Sequence, residues 1–142
     1  MYDKALSEKI KEIDHSAPGI WTSNNRCIAQ LPVALGLRAY SGTQTYCDER
    51  FWRIVDPAGS HKPVWNRYGH RNILDFDGRC DPDNRKIGDC IFFSLNEEKT
   101  RSLDIRYIIW RGNQLHLPWL RHLASIRDNH IYEVKSENKE NE

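Results

Sequence analysis

Four residues of this chain stand in an order that suits thiol chemistry: Cys27, His70, Asp81 and Asp83. A thiol is mostly protonated near neutral pH, and the positive end of a helix or a neighbouring imidazole lowers its pKa and yields the nucleophilic thiolate. Cys27 follows the capping-rich run Thr22-Ser23-Asn24-Asn25 and precedes the apolar stretch Ile28 to Leu35, which places it at the start of a helix. His70 opens a segment that alternates up to Phe76, a strand pattern, and is the candidate to pass a proton between thiol and leaving group. An acid on its other ring nitrogen would fix the tautomer, a role open to Asp81 or Asp83. The backbone N–H of Cys27 and the side chain of Asn25 are the candidate oxyanion donors.

These residues need elements to hold them. Asp77-Gly78 is a strong hairpin signal, and a two-residue turn there pairs Leu74 with Asp81 and Asn72 with Asp83. In that register Asp83 is diagonal to His70, roughly 7 to 8 Å between backbones, and Asp81 is two steps further off. Pro82 and Pro32 interrupt the strand and the helix that would carry the acids and the thiol.

The segment Gly69-His70-Arg71-Asn72-Ile73-Leu74-Asp75-Phe76-Asp77-Gly78-Arg79-Cys80-Asp81-Pro82 resembles the His and Asp region of papain-like and transglutaminase-like cysteine hydrolases. The stretch Asn24-Asn25-Arg26-Cys27-Ile28-Ala29-Gln30-Leu31 is similar to the Cys-bearing helix start of that superfamily. The resemblance implies Cys27 as nucleophile, His70 as base and Asp81 as orienting acid. It further implies hydrolysis or acyl transfer at an amide, with peptidoglycan peptide, protein glutamine and isopeptide bonds all open. A further stretch, Ile87-Gly88-Asp89-Cys90-Ile91-Phe92-Phe93, looks like the Gly-Asp-apolar strand of the NlpC/P60 peptidoglycan hydrolases. The strand after it, Asp104 to Trp110, has no histidine, so that likeness bears on the fold alone.

At 142 residues the chain fits one domain, because two would each be too small to bury a stable core. Five Trp, six Tyr and four Phe make that core aromatic-rich. The near-zero net charge of +1 argues against a globally basic nucleic-acid binder. No stretch approaches the roughly 20 apolar residues of a membrane helix, and Met1-Tyr2-Asp3-Lys4 does not begin a signal peptide. The expectation is a cytoplasmic protein, or a bacterial or phage effector secreted without a cleavable signal. Cys27, Cys47, Cys80 and Cys90 show no disulfide-framework spacing, so thiols are expected. No cofactor is implied.

The expected architecture is α+β, with N-terminal helices packed on an antiparallel sheet from the second half of the chain and one late helix. Helices are expected over residues 3–14, from Cys27 or Leu31 to Leu35, through Val55 after the capping motif Thr45-x-x-Asp48, and from Pro118 to Arg127. Strands are expected over His70–Phe76, Ile87–Phe93, Leu103–Trp110, Gln114–Leu117 and Ile131–Val134. The domain spans residues 1–135, followed by a polar tail over 136–142.

Other function classes compete. From Arg101 to Arg127 five Arg face one acid, Asp104, with Tyr107, Trp110 and Trp119 interleaved, so Arg106 and Arg111 are candidate nucleic-acid contacts. His61, His70, Cys80 and Cys90 are zinc-ligand types without the close ligand pairs of structural sites, so no metal is assigned. A protein-interaction role, such as an inhibitor, immunity or phage accessory factor, would leave Cys27 unreactive.

Overall fold

The computed structural model describes residues 3–25, 27–40, 42–44, 48–66, 69–78, 81–82 and 90–137. Along them run α1 (Lys4–Ser16), β1 (Ile20–Ser23), α2 (Gln30–Ala34), β2 (Gly42–Gln44), α3 (Glu49–Val55) and α4 (Lys62–Trp65). Then come β3 (Gly69–Asp75), β4 (Cys90–Ser94), α5 (Glu97–Ser102), β5 (Ile105–Arg111), β6 (Leu120–Ile126) and β7 (Asn129–Val134). The strands make a four-stranded sheet in the order β1-β5-β7-β6 and a three-stranded sheet in the order β2-β3-β4.

Local sequence explains the helices. Asp3 caps α1 by accepting the Leu6 N–H at 3.0 Å, and Leu6 and Ile10, one turn apart, are fully buried. Asp48 caps α3 in the same way, accepting the Phe51 N–H at 3.2 Å. α2 begins at Gln30, so Pro32 falls in its first turn, where the missing N–H has no intrahelical partner to lose. Gly36, with φ of 79°, closes that segment.

Each face of the four-stranded sheet carries its own core. On one face α1 and α2 lay Leu6, Ile10, Ile28 and Leu31 against Trp21, Tyr107, Ile109 and Ile131. On the other, Ile108, Leu120 and Tyr132 meet Phe51, Trp52, Trp65, Ile73, Ile91 and Phe93, contributed by α3, α4 and the three-stranded sheet. Alternation along β5 makes this possible, since Tyr107 and Ile109 project to one side and Ile108 to the other. The second core is built on rings: Trp52 stacks on Trp65 at 5.8 Å and meets the edge of Phe93 at 5.0 Å.

The protein is α+β, as the sequence implies, but its sheets are mixed. β1 runs parallel to β5 and β3 parallel to β4, while the remaining pairings are antiparallel. The turn at Asp77-Gly78 exists, with Gly78 at φ 72°, yet it does not start a hairpin. The Gly78 N–H bonds to Leu95 beyond the end of β4, and Asp81 and Pro82, where the return strand would run, lie in no strand. The expected helix from Pro118 to Arg127 is β6. The helix-like spacing of Leu120, Leu123 and Ile126 marks no single face: Leu120 joins one core, Ile126 packs on the other, and Leu123, at the bulge between His122 and Ala124, is exposed. Residues 114–117 form no strand; there the Leu115 N–H donates to Tyr132 Oη at 2.8 Å. β1, α4 and α5 were not legible. Among the described residues no helix is long and apolar enough to cross a membrane.

Candidate functional site

Cys27 lies between β1 and α2 in a turn made by its neighbours. Asn24 clamps the end of β1 to β5, donating to Arg111 O at 3.0 Å and accepting the Arg111 N–H at 2.8 Å. Asn25 Oδ1 accepts the Cys27 N–H at 3.0 Å and the Ile28 N–H at 2.9 Å. The two groups suited to an oxyanion are therefore bonded to each other, although the thiol itself is exposed.

The other members of the proposed triad lie elsewhere. Ile28, next to Cys27, belongs to the core on the helix-covered face of the four-stranded sheet, whereas Ile73 of β3 belongs to the core on the opposite face. His70 is thus carried by a strand in a different layer. Its backbone pairs with Thr43 on one side and with Cys90, a buried thiol, on the other. Asp81 is exposed, and its Oδ2 lies 3.8 Å from His61 Nε2. His61 is also held by Asp56, with Nδ1 3.5 Å from Asp56 Oδ1. The acid read as the partner of His70 accordingly stands beside another histidine. Asp83 lies outside the described residues, as does Cys80 of the zinc-type set.

The candidate nucleic-acid residues are matched by carboxylates. Arg106 places Nε and Nη2 at 3.1 and 3.0 Å from Glu133 Oε2, and Arg121 reaches the other oxygen of Glu133 at 2.5 Å. Burial pushes the Glu133 pKa up, but the bonds from Arg121 and Arg106 outweigh it and hold the group below the ordinary range. Arg111 sits 3.7 Å from Asp128.

The most unusual charge is one that the sequence reading passed over. Arg71 is on the same face of β3 as Ile73, which is 4% exposed, while Leu74 on the other face is 38% exposed. The Arg71 side chain is only 10% exposed. Its guanidinium lies over the Phe51 ring at 4.8 Å, and the Asp48 carboxylate is 3.8 Å away, too far for a hydrogen bond. Nε and Nη1 are buried with no hydrogen-bond partner among the described residues. Burial accordingly pushes the Arg71 pKa down, against the pull of Asp48. Across from Arg71 in the ladder stands Gly42, which has no side chain to cover it. The available signal was the alternation of β3: had Ile73 been taken as the core position, Arg71 would have emerged as a buried cation.

Fold and site together define a layered α+β domain, two mixed sheets with α1 and α2 on the far face of the four-stranded one, that carries an under-coordinated buried arginine. Residues 1–138 match the model of a family described as Domain of unknown function (DUF7654), and the chain belongs to that family. No curated protein and no solved structure gives a significant match.

Proposed function

We propose that this is a recognition domain that binds an anionic group, a carboxylate or phosphate, at Arg71. The observation that carries the reading is the guanidinium itself: nine-tenths buried, with Nε and Nη1 lacking acceptors among the described residues. Nε offers one N–H and Nη1 two, and an ionised ligand oxygen would satisfy them with charge-assisted bonds. Asp48, 3.8 Å away, offsets part of the charge without satisfying these donors, and buried N–H groups left without acceptors cost free energy. Phe51 and Tyr40, with ring centroids 5.3 Å apart, give the site an aromatic wall, and Asp48 at its rim disfavours a second negative charge on that side.

The test is a thermal melt with inorganic phosphate or acetate added at rising concentration. A ligand at a hundred times its Kd stabilises the folded state by about 2.7 kcal/mol, so the midpoint rises with concentration. Arg71→Met is expected to abolish the rise, and an unchanged rise in that variant would overturn the reading.

The competing proposal is the cysteine hydrolase or acyltransferase acting on an amide through Cys27. The exposure of the Cys27 thiol supports it. It requires His70, carried by a strand in another layer, to act on that thiol, with Asp81 or Asp83 as the orienting acid.

A further inference from the structure

We infer that Ser125 is a nucleophile activated by His130, able to take an acyl group from an activated ester. The pair lies where β6 and β7 face each other across the two-residue turn Arg127-Asp128, with Ser125 and His130 as direct partners in the ladder. Ser125 Oγ lies 2.6 Å from His130 Nδ1 and 2.7 Å from His122 Nε2. His130 Nε2 lies 2.9 Å from the Gly112 carbonyl oxygen.

These distances fix the protons. A carbonyl oxygen only accepts, so Nε2 of His130 carries the hydrogen, and in the neutral ring Nδ1 holds the lone pair. The Ser125 hydroxyl therefore donates to Nδ1, and Oγ accepts from Nε2–H of His122. Two roles are filled at once: a hydroxyl within reach of a base, and a base oriented by a third group, while the Nε2–H of His122 holds Oγ in place. His130 is 8% exposed, so its orientation is fixed by packing as well as by Gly112, while Ser125 is exposed to an incoming ester.

In the reaction, Oγ bonds to the ester carbonyl carbon and its proton passes to His130 Nδ1. The bond from that carbon to the leaving oxygen then breaks, and the leaving oxygen takes the proton from Nδ1. Acyl-serine and an alcohol result. Water attacking the acyl-serine, with His130 as base, releases the carboxylic acid and restores the hydroxyl. Because Ser125 stands on an open hairpin, the substrate class is a small ester with a good leaving group.

The probe is a fluorophosphonate, with 4-nitrophenyl acetate as the ester, and adducts are located by peptide mass. Ser125 is expected to react about 100-fold or more faster than exposed serines such as Ser60 and Ser136, the scale of general-base assistance. Ser125→Ala removes the adduct, and His130→Gln slows it by a similar factor at an unchanged melting temperature. Labelling of Ser125 no faster than of Ser60 and Ser136, or equal labelling in His130→Gln, overturns the inference. Should His130→Gln fail to fold, the comparison of serines within the wild-type chain decides.

Discussion

The indole N–H of Trp65 donates to Asp56 Oδ2 at 3.0 Å, and the backbone N–H of His61 reaches the same oxygen at 2.8 Å. One nearly buried carboxylate thereby ties the end of α3 to α4 and sets the orientation of the ring that stacks on Trp52. Burial raises the Asp56 pKa, but the bonds from Trp65 and His61 prevail and hold it below the usual carboxylate range. Asp3 is also lowered, first by its bond to Arg127.

A carboxyl whose folded pKa lies below its unfolded value stabilises fully above the unfolded value, near pH 4, and loses that contribution as pH falls through the folded value. Urea midpoints are therefore expected to hold from pH 7 to about 5 and to fall below about pH 4. Asp56→Asn should flatten part of that fall. Asp56→Ala removes the acceptor shared by two N–H groups and should cost about 1–3 kcal/mol at neutral pH. An acid limb identical in wild type and Asp56→Asn would show that this carboxylate is not linked to folding.

Cys27 and His70 are carried by different layers, and this makes their coupling measurable. Iodoacetamide is expected to modify Cys27 in the native protein and to spare Cys90, which is 1% exposed, until the protein unfolds. His70→Ala should leave the Cys27 rate within about twofold if the layers keep the two residues apart. A tenfold loss in that variant, read by peptide mass across pH 6 to 9, would restore the thiol-hydrolase reading.

Legibility followed the range over which the physics acts. α1 and α3 were readable because apolar residues at helical spacing repeat within a turn or two, and β3, β5 and β7 because β-branched and aromatic runs are local. Partner choice was not local. Nothing near Asp77-Gly78 shows that β3 pairs with β4, so the acids at 81 and 83 were assigned to a returning strand. The spacing of Leu120, Leu123 and Ile126 disguised β6 as a helix and with it hid the facing of Ser125 and His130. Arg71 escaped notice because the alternation of β3 was followed for His70 and its face, and the opposite face, where Arg71 stands with the buried Ile73, was not weighed.

Asp104 follows α5 with φ of 59°, the left-handed position that glycine commonly takes after a helix. A side chain there costs roughly 1 kcal/mol, part of which glycine returns through the greater freedom of its unfolded state. Asp104→Gly is therefore expected to raise stability by a few tenths to about 1 kcal/mol, since Asp104 is exposed and its replacement uncovers no core. A chemical denaturation curve checks it. A loss of stability would mean that the carboxylate, not the backbone angle, governs this turn.

Arg71 supplies the sharpest contrast between stability and binding. Stacking on Phe51 is worth about 1 kcal/mol, whereas desolvating a cation with unsatisfied N–H groups costs more than that. Without ligand, Arg71→Met should thus fold as stably as wild type or about 1–2 kcal/mol more so, because the thioether fills similar space without charge. A structural arginine behaves oppositely: its removal would lower the midpoint by several kcal/mol. Arg71→Lys separates charge from shape, since lysine keeps the cation but loses the planar array of donors, and it should recover less than a tenth of the affinity for phosphate. Gain or parity in Arg71→Met, together with loss of the ligand-induced rise, is the pattern expected of a residue kept for binding at the expense of the fold.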